Sequence, residues 1–148
     1  MPSFLSHKLK LIFCHIPRTG GTSFTKAIEP YLGFDVENDF PQHIPMSDFA
    51  IGRLGRYFDQ YLKVSIWRDD RERFASLSIG AALAPQLIPK DDPYYWRTNE
   101  QWLNDHKNKN LADVLINFDR LPGSAVRFIQ AITGIRVDEY PHLNKRDT

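Results

Sequence analysis

Twice in this chain an apolar run of strand length breaks directly into a helix start, and that recurrence narrows the fold more than any other feature. Residues 9–16, L-K-L-I-F-C-H-I, form the first run, ended by Pro17, which cannot donate to a ladder. Residues 61–67, Y-L-K-V-S-I-W, form the second, with Arg68 immediately after it. Helical spacing follows each. After the first, Thr22 or Ser23 is the expected cap of a helix running to about Leu32, with Phe24, Ala27, Ile28 and Tyr31 on one face and Gly33 as the stop. After the second, Asp69 or Asp70 stands near the cap of a helix to Leu83 that turns Phe74, Leu77 and Ala81 inward. Strand, helix, strand, helix in that order predicts an α/β fold, a central parallel sheet flanked by helices, with ligands gathering beyond the strands' carboxyl ends.

The rest of the chain reads more loosely. Residues 34–48 are a surface loop carrying His43, and a short helix follows over 47–58. Residues 84–98 contain three prolines and a Tyr94-Tyr95-Trp96 cluster, expected to pack over the core as an irregular segment. Further helices are predicted near 99–107, 110–120 and 124–132. With 148 residues and no repeat or linker, residues 1–148 read as a single domain.

Lys and Arg number 19 against 18 Asp and Glu, a formal net charge of +1, so no whole-molecule field draws the chain to nucleic acid, and any anion site must be local. Cys14 is the single cysteine, which excludes an internal disulfide and a multi-cysteine metal site. The apolar run L-I-F-C is too short for a signal segment or membrane span, so the expectation is a soluble, cytoplasmic protein without membrane insertion. Five dispersed histidines show no metal-ligand spacing, and no required metal is expected.

The turn after the first run, Pro17-Arg18-Thr19-Gly20-Gly21-Thr22-Ser23, is built like an anion seat. Two glycines let backbone N–H groups turn inward, Thr22 and Ser23 add hydroxyls, and a helix start adds partial positive charge. It is not a Walker A loop, because no Gly-Lys-Ser/Thr follows the required spacing. H-I-P-R-T-G-G-T-S instead resembles the 5′-phosphosulfate loop of sulfotransferases, whose usual form has Lys where Arg18 stands. V-S-I-W-R-D-D-R-E-R-F-A-S-L, about fifty residues on, is similar to that family's 3′-phosphate site, a strand ending in Arg with Ser eight positions later, which Arg68 and Ser76 match. Arg73 also fits a basic position of that pattern, and P-H-L-N-K at 141–145 is a fainter echo of carbohydrate-type members.

The resemblance implies a P-loop-like sulfotransferase architecture, PAPS (3′-phosphoadenosine 5′-phosphosulfate) as sulfuryl donor, and a small-molecule or carbohydrate acceptor offering a hydroxyl or amine. It implies Arg18 as the leaving-group cation, Thr19, Gly20, Gly21, Thr22 and Ser23 around the phosphosulfate, and Arg68 and Ser76 on the 3′-phosphate. His43 is the favoured base, since its ordinary pKa near 6.5 leaves it largely neutral at pH 7 and its loop resembles where relatives place a catalytic His. Two departures stand out: Asp69-Asp70 replaces the family's common Asn-Pro, and the chain is short, which leaves a second subunit of a homo-oligomer as one source of acceptor-binding elements. His15, inside the strand end, reads as structural, and His142 belongs to an irregular tail. The competing readings are a nucleotide kinase or other phosphoryl transferase and a PAPS- or nucleotide-binding protein without turnover.

Overall fold

The computed structural model describes residues 3–88 and 92–141. The echo at 141–145, His142 included, therefore lies outside the described residues apart from Pro141. Among the described residues the strands are β1 (Phe4–Ser6), β2 (Leu11–Cys14), β3 (Val36–Glu37), β4 (Leu62–Trp67) and β5 (Val114–Asn117). They form one sheet in the order β3-β1-β2-β4-β5. The expected α/β fold is present, with one correction: the sheet is mixed. β2, β4 and β5 run parallel, Cys14 standing opposite Ser65 and Ser65 opposite Leu115. β1 pairs antiparallel with β2 and β3. The cause is local, for residues 7–10 turn tightly, Lys10 adopting φ 52°, and a connection this short admits only an antiparallel return. Leu9 and Lys10 thus belong to a turn, and the first strand of the expected pair begins at Leu11.

β2 shows why the sheet is buried on both sides. Leu11 and Phe13 enter one apolar cluster with Phe24, Ile28, Ala125 and Ile129, which come from α1 (Gly21–Ile28) and α5 (Gly123–Thr133). Ile12 and Cys14 enter the other, with Met46, Phe49 and Leu54 of two 3-10 turns, Phe58 of α2 (Gly55–Phe58) and Trp102 of α4 (Asn99–Leu103). Successive side chains of a strand face opposite ways, so a run that is apolar throughout needs cover on both faces. Full burial of each large side chain contributes about 2 kcal/mol.

The expected helices differ in several places; the one near 99–107 stops at Leu103, and 47–58 folds as 3-10 turns at Met46–Ala50 and Gly52–Leu54 ahead of the single turn of α2. α1 starts at Gly21 because Gly20, at φ 78°, turns left-handed and serves as its N-cap, placing Thr22 and Ser23 inside the first turn. It ends at Ile28, where Pro30, lacking an N–H, tightens the chain into a 3-10 turn over Glu29–Tyr31. The helix predicted for 110–120 is β5 followed by a 3-10 turn at Phe118–Arg120. V-L-I-N is too short an apolar run to fix its own conformation, and the ladder to β4 decides it, reinforced where Asp113 accepts from the Lys63 backbone N–H at 2.8 Å. α3 (Asp70–Leu83) starts as expected, Asp69 capping it by accepting from the N–H of Arg71 at 3.0 Å. Among the described residues no helix is long and apolar enough to cross a membrane.

Candidate functional site

β2 delivers its carboxyl end into residues 15–20, and this loop is held by its carbonyls. Thr19 Oγ1 donates to the Ile16 carbonyl at 2.8 Å, Arg73 Nη1 to that of Pro17 at 3.4 Å, and Arg68 Nη1 to that of Arg18 at 2.9 Å. Arg18 itself takes φ 62°, a conformation few non-glycine residues adopt. The first hydrogen bond of α1 runs from Phe24 N–H to the Gly20 carbonyl at 3.2 Å, so the N–H groups of Gly21 and Thr22 have no acceptor within the helix. These N–H groups and the positive end of the helix dipole make one donor surface.

That surface opens on a cleft of about 360 Å³. Arg18, Gly20, Gly21, Thr22, His15 and His43 form its polar side, and Leu77, Leu87, Ile88 and Tyr95 an apolar wall. The Arg18 guanidinium is laid along α3, with Nη2 3.5 Å from the Ser76 carbonyl. A Cβ on Gly80 would collide with it, so a bare stretch of α3 backbone is what gives Arg18 its seat.

His43 is fixed by its Nδ1, which donates to the His15 carbonyl at 2.8 Å. A carbonyl only accepts, so the proton is on Nδ1 and Nε2 keeps its lone pair. Burial pushes the His43 pKa down from 6.5 to about 4, the bond to His15 opposes this, and the charges of Arg73 and Arg18 lower it further. The ring is neutral at pH 7 and can take a proton on Nε2. His15 packs edge-on against it, ring centroids 4.7 Å apart, and burial together with His43 holds its pKa well below the ordinary value.

Of the residues expected in the site, Arg18, Gly20, Gly21, Thr22 and His43 meet around this cleft. Thr19 is fully buried with its hydroxyl turned back onto the loop. Ser23 faces an adjoining cavity of about 340 Å³ that shares Gly20 with the cleft and is walled by Phe118, Leu121, Pro122 and Tyr140. Arg68 and Ser76 are outside the described lining and meet Arg18 instead, Arg68 at its carbonyl and Ser76 through its own carbonyl. The Arg68 guanidinium also lies 4.0 Å over the Phe118 ring, and its Nε is 3.7 Å from Glu72.

Arg73 is fully buried, paired to Asp70 at 3.0 Å and donating to the Arg97 carbonyl at 2.6 Å, so it braces the loop. The two acids after Arg68 are thereby accounted for: Asp69 caps α3, and Asp70 holds Arg73 and accepts from the Asn99 N–H at 2.9 Å. The sequence reads His15 as structural and Tyr95 as part of a cluster packed over the core, and it gives Gln42 no role; all three line the cleft. For His15 a signal existed, a polar ring in an otherwise apolar run; Gln42 and Tyr95 arrive from distant loops. Two histidines far apart along the chain, His15 and His43, meet ring to ring in space, and His7 stands with Asp35 and Glu37, their ligating atoms all within 4.8 Å, although none of these three lines the cleft.

Comparison with protein-family models, curated proteins and solved structures finds no match to this chain. What the site can do rests on its own geometry.

Proposed function

We propose that this protein is a PAPS-dependent sulfotransferase of P-loop-like architecture, transferring the sulfuryl group to a hydroxyl or amine acceptor. The observation that carries the reading is the convergence of the α1 N-terminus, Arg18 and the bare Nε2 side of His43 on one cleft. Sulfuryl transfer is an in-line displacement in which an acceptor attacks sulfur and a phosphate leaves. The leaving phosphate needs donors and a cation, which the Gly21 and Thr22 N–H groups and Arg18 supply. The attacking hydroxyl needs a base, and His43 Nε2 takes its proton. A bound anion beside His43 raises its pKa from about 4 toward the working pH, improving it as a base when the donor is in place.

β2 and β4 are parallel neighbours, so the starts of α1 and α3 lie side by side, as a two-anion donor requires. In this reading Arg68 serves the donor chiefly by holding the Arg18 carbonyl. The adjoining cavity past Gly20, walled by Phe118 and Tyr140, receives the nucleoside, and the apolar wall at Leu77, Leu87, Ile88 and Tyr95 faces the acceptor, where the Tyr95 ring suits a sugar. The low basicity of His43 favours one second reading, a protein that binds PAPS without turning it over.

Calorimetric titration with adenosine 3′,5′-bisphosphate in the absence of metal tests the binding. Saturable binding that is lost in Arg18→Ala supports it, whereas binding of ATP only with magnesium refutes it in favour of a phosphoryl transferase. Transfer from labelled PAPS to a panel of glycans, phenols and amines then separates enzyme from binder.

A further inference from the structure

His15 is 3% exposed, and its ring is the most enclosed polar group on the cleft wall. Its backbone is used up: the N–H donates to Ser3 Oγ at 2.9 Å and the carbonyl accepts from His43. Its side chain is not. Nδ1 is out of solvent and has no hydrogen-bond partner among the described residues. The opposite edge of the ring, Cδ2 and Nε2, lies against Gly21 so closely that a Cβ there would collide with both atoms. Gly21 is thus a glycine for the ring's sake, and the ring is pressed to the first residue of α1.

The two nitrogens are distinguishable. Burial keeps the imidazole neutral, so one nitrogen carries hydrogen and the other a lone pair. An orphaned buried N–H is rarer than an under-used acceptor, which leaves Nδ1 bare and puts the proton on Nε2. His15 and His43 then hold opposite tautomers: His43 offers the cleft an acceptor, and His15 sets an N–H beside the N–H groups of Gly21 and Thr22. A neutral donor here adds to an anion seat without adding a second cation next to Arg18.

We propose that His15 is part of the oxyanion seat at the N-terminus of α1, its Nε2–H donating to an oxygen of a bound sulfuryl or phosphoryl group. The proposal deepens the sulfotransferase reading and rests on it only for the identity of the ligand, since the seat is specified by an oxyanion alone. A helix N-terminus by itself selects no ligand; the second and independent sign is the His15 ring, 3% exposed on the cleft wall, its Nε2 edge against the first residue of that helix and its Nδ1 without a partner among the described residues.

Two measurements test it. In the wild-type protein, nitrogen-detected NMR of the histidine rings is expected to show His15 as the Nε2–H tautomer, its Nε2 resonance shifting saturably on titration with inorganic sulfate or with adenosine 3′,5′-bisphosphate. By calorimetry His15→Phe, which keeps a flat ring but no donor, is expected to weaken binding of both about tenfold, while His15→Gln, which restores an N–H near the same place, stays within about threefold of wild type. The Nδ1–H tautomer, an Nε2 resonance unmoved at saturation, or equal binding by His15→Phe overturns the proposal, as does the absence of saturable oxyanion binding by the wild-type protein. Bisphosphate binding with an indifferent His15 sinks this inference and leaves the sulfotransferase reading standing. Sulfate binding through His15 without bisphosphate binding does the reverse.

Discussion

Replacing Gly80 with alanine should uncouple the stability of α3 from the cleft. Glycine inside a helix costs about 1 kcal/mol relative to alanine, so on helix propensity alone Gly80→Ala would stabilise by that amount and raise the melting temperature by roughly 2–4 °C. Against this, the new Cβ would overlap the Arg18 guanidinium and come 2.9 Å from Ile88 Cδ1. Both are the far ends of flexible side chains, so they give way while the helix holds, and the loss of packing is on the order of 1 kcal/mol. The two effects nearly cancel in stability. They do not cancel in binding: Arg18 is driven off its place beside the Ser76 carbonyl, and a charge-assisted hydrogen bond to an anion contributes about 1.5–3 kcal/mol, a factor of about ten or more in affinity. Thermal melts paired with calorimetry of adenosine 3′,5′-bisphosphate read both quantities. Combined with Arg18→Ala, the Gly80 change should cost nothing further. Wild-type affinity in Gly80→Ala, or additive losses in the double variant, would refute the idea that Gly80 seats Arg18.

Two other outcomes are expected. Arg73→Met strands the Asp70 carboxylate and leaves the Pro17 and Arg97 carbonyls without their donor, so urea unfolding should show a loss of about 3–5 kcal/mol; a loss under 1 kcal/mol would remove Arg73 from its bracing role. Acid should weaken the fold between about pH 6.5 and pH 4: the His43 pKa is lowered on folding, the unfolded chain takes up the proton first, and stability falls with pH by about 3 kcal/mol at the limit, His15 adding in the same direction. Urea melts across this range should flatten in His43→Gln, and identical slopes in variant and wild type would contradict the assignment.

β2, β4, α3 and α5 were legible in the sequence because each carries its own period or apolar run. β1 was not, since F-L-S is strand only by virtue of pairing with Phe13–Leu11 across a turn. β5 was misread for the same reason: V-L-I-N takes its conformation from β4, fifty residues earlier. Within the site, the glycines and Arg18 were legible because a tight turn that leads from a strand into a helix restricts residue type. The spacing of Arg68 and Ser76 marked their nearness to the loop, but spacing does not say whether a guanidinium meets a ligand or a carbonyl, and in the structure Arg68 Nη1 meets the Arg18 carbonyl. Tyr95 and Gln42 reach the cleft through loops whose course depends on packing alone, which no local pattern records.

The guanidinium groups of Arg73 and Arg68 on the Pro17 and Arg18 carbonyls have a consequence for the other side of the loop. In a planar trans peptide the C=O and N–H point in opposite directions, so each guanidinium on its oxygen aims the N–H of the same peptide, that of Arg18 or of Thr19, away from itself. The direction of these donors is set when the chain folds, so under the proposed function little reorganisation would be left for binding. Affinity lost on removing Arg68 or Arg73 would then measure aim rather than contact, with both arginines acting on a ligand that neither has to touch.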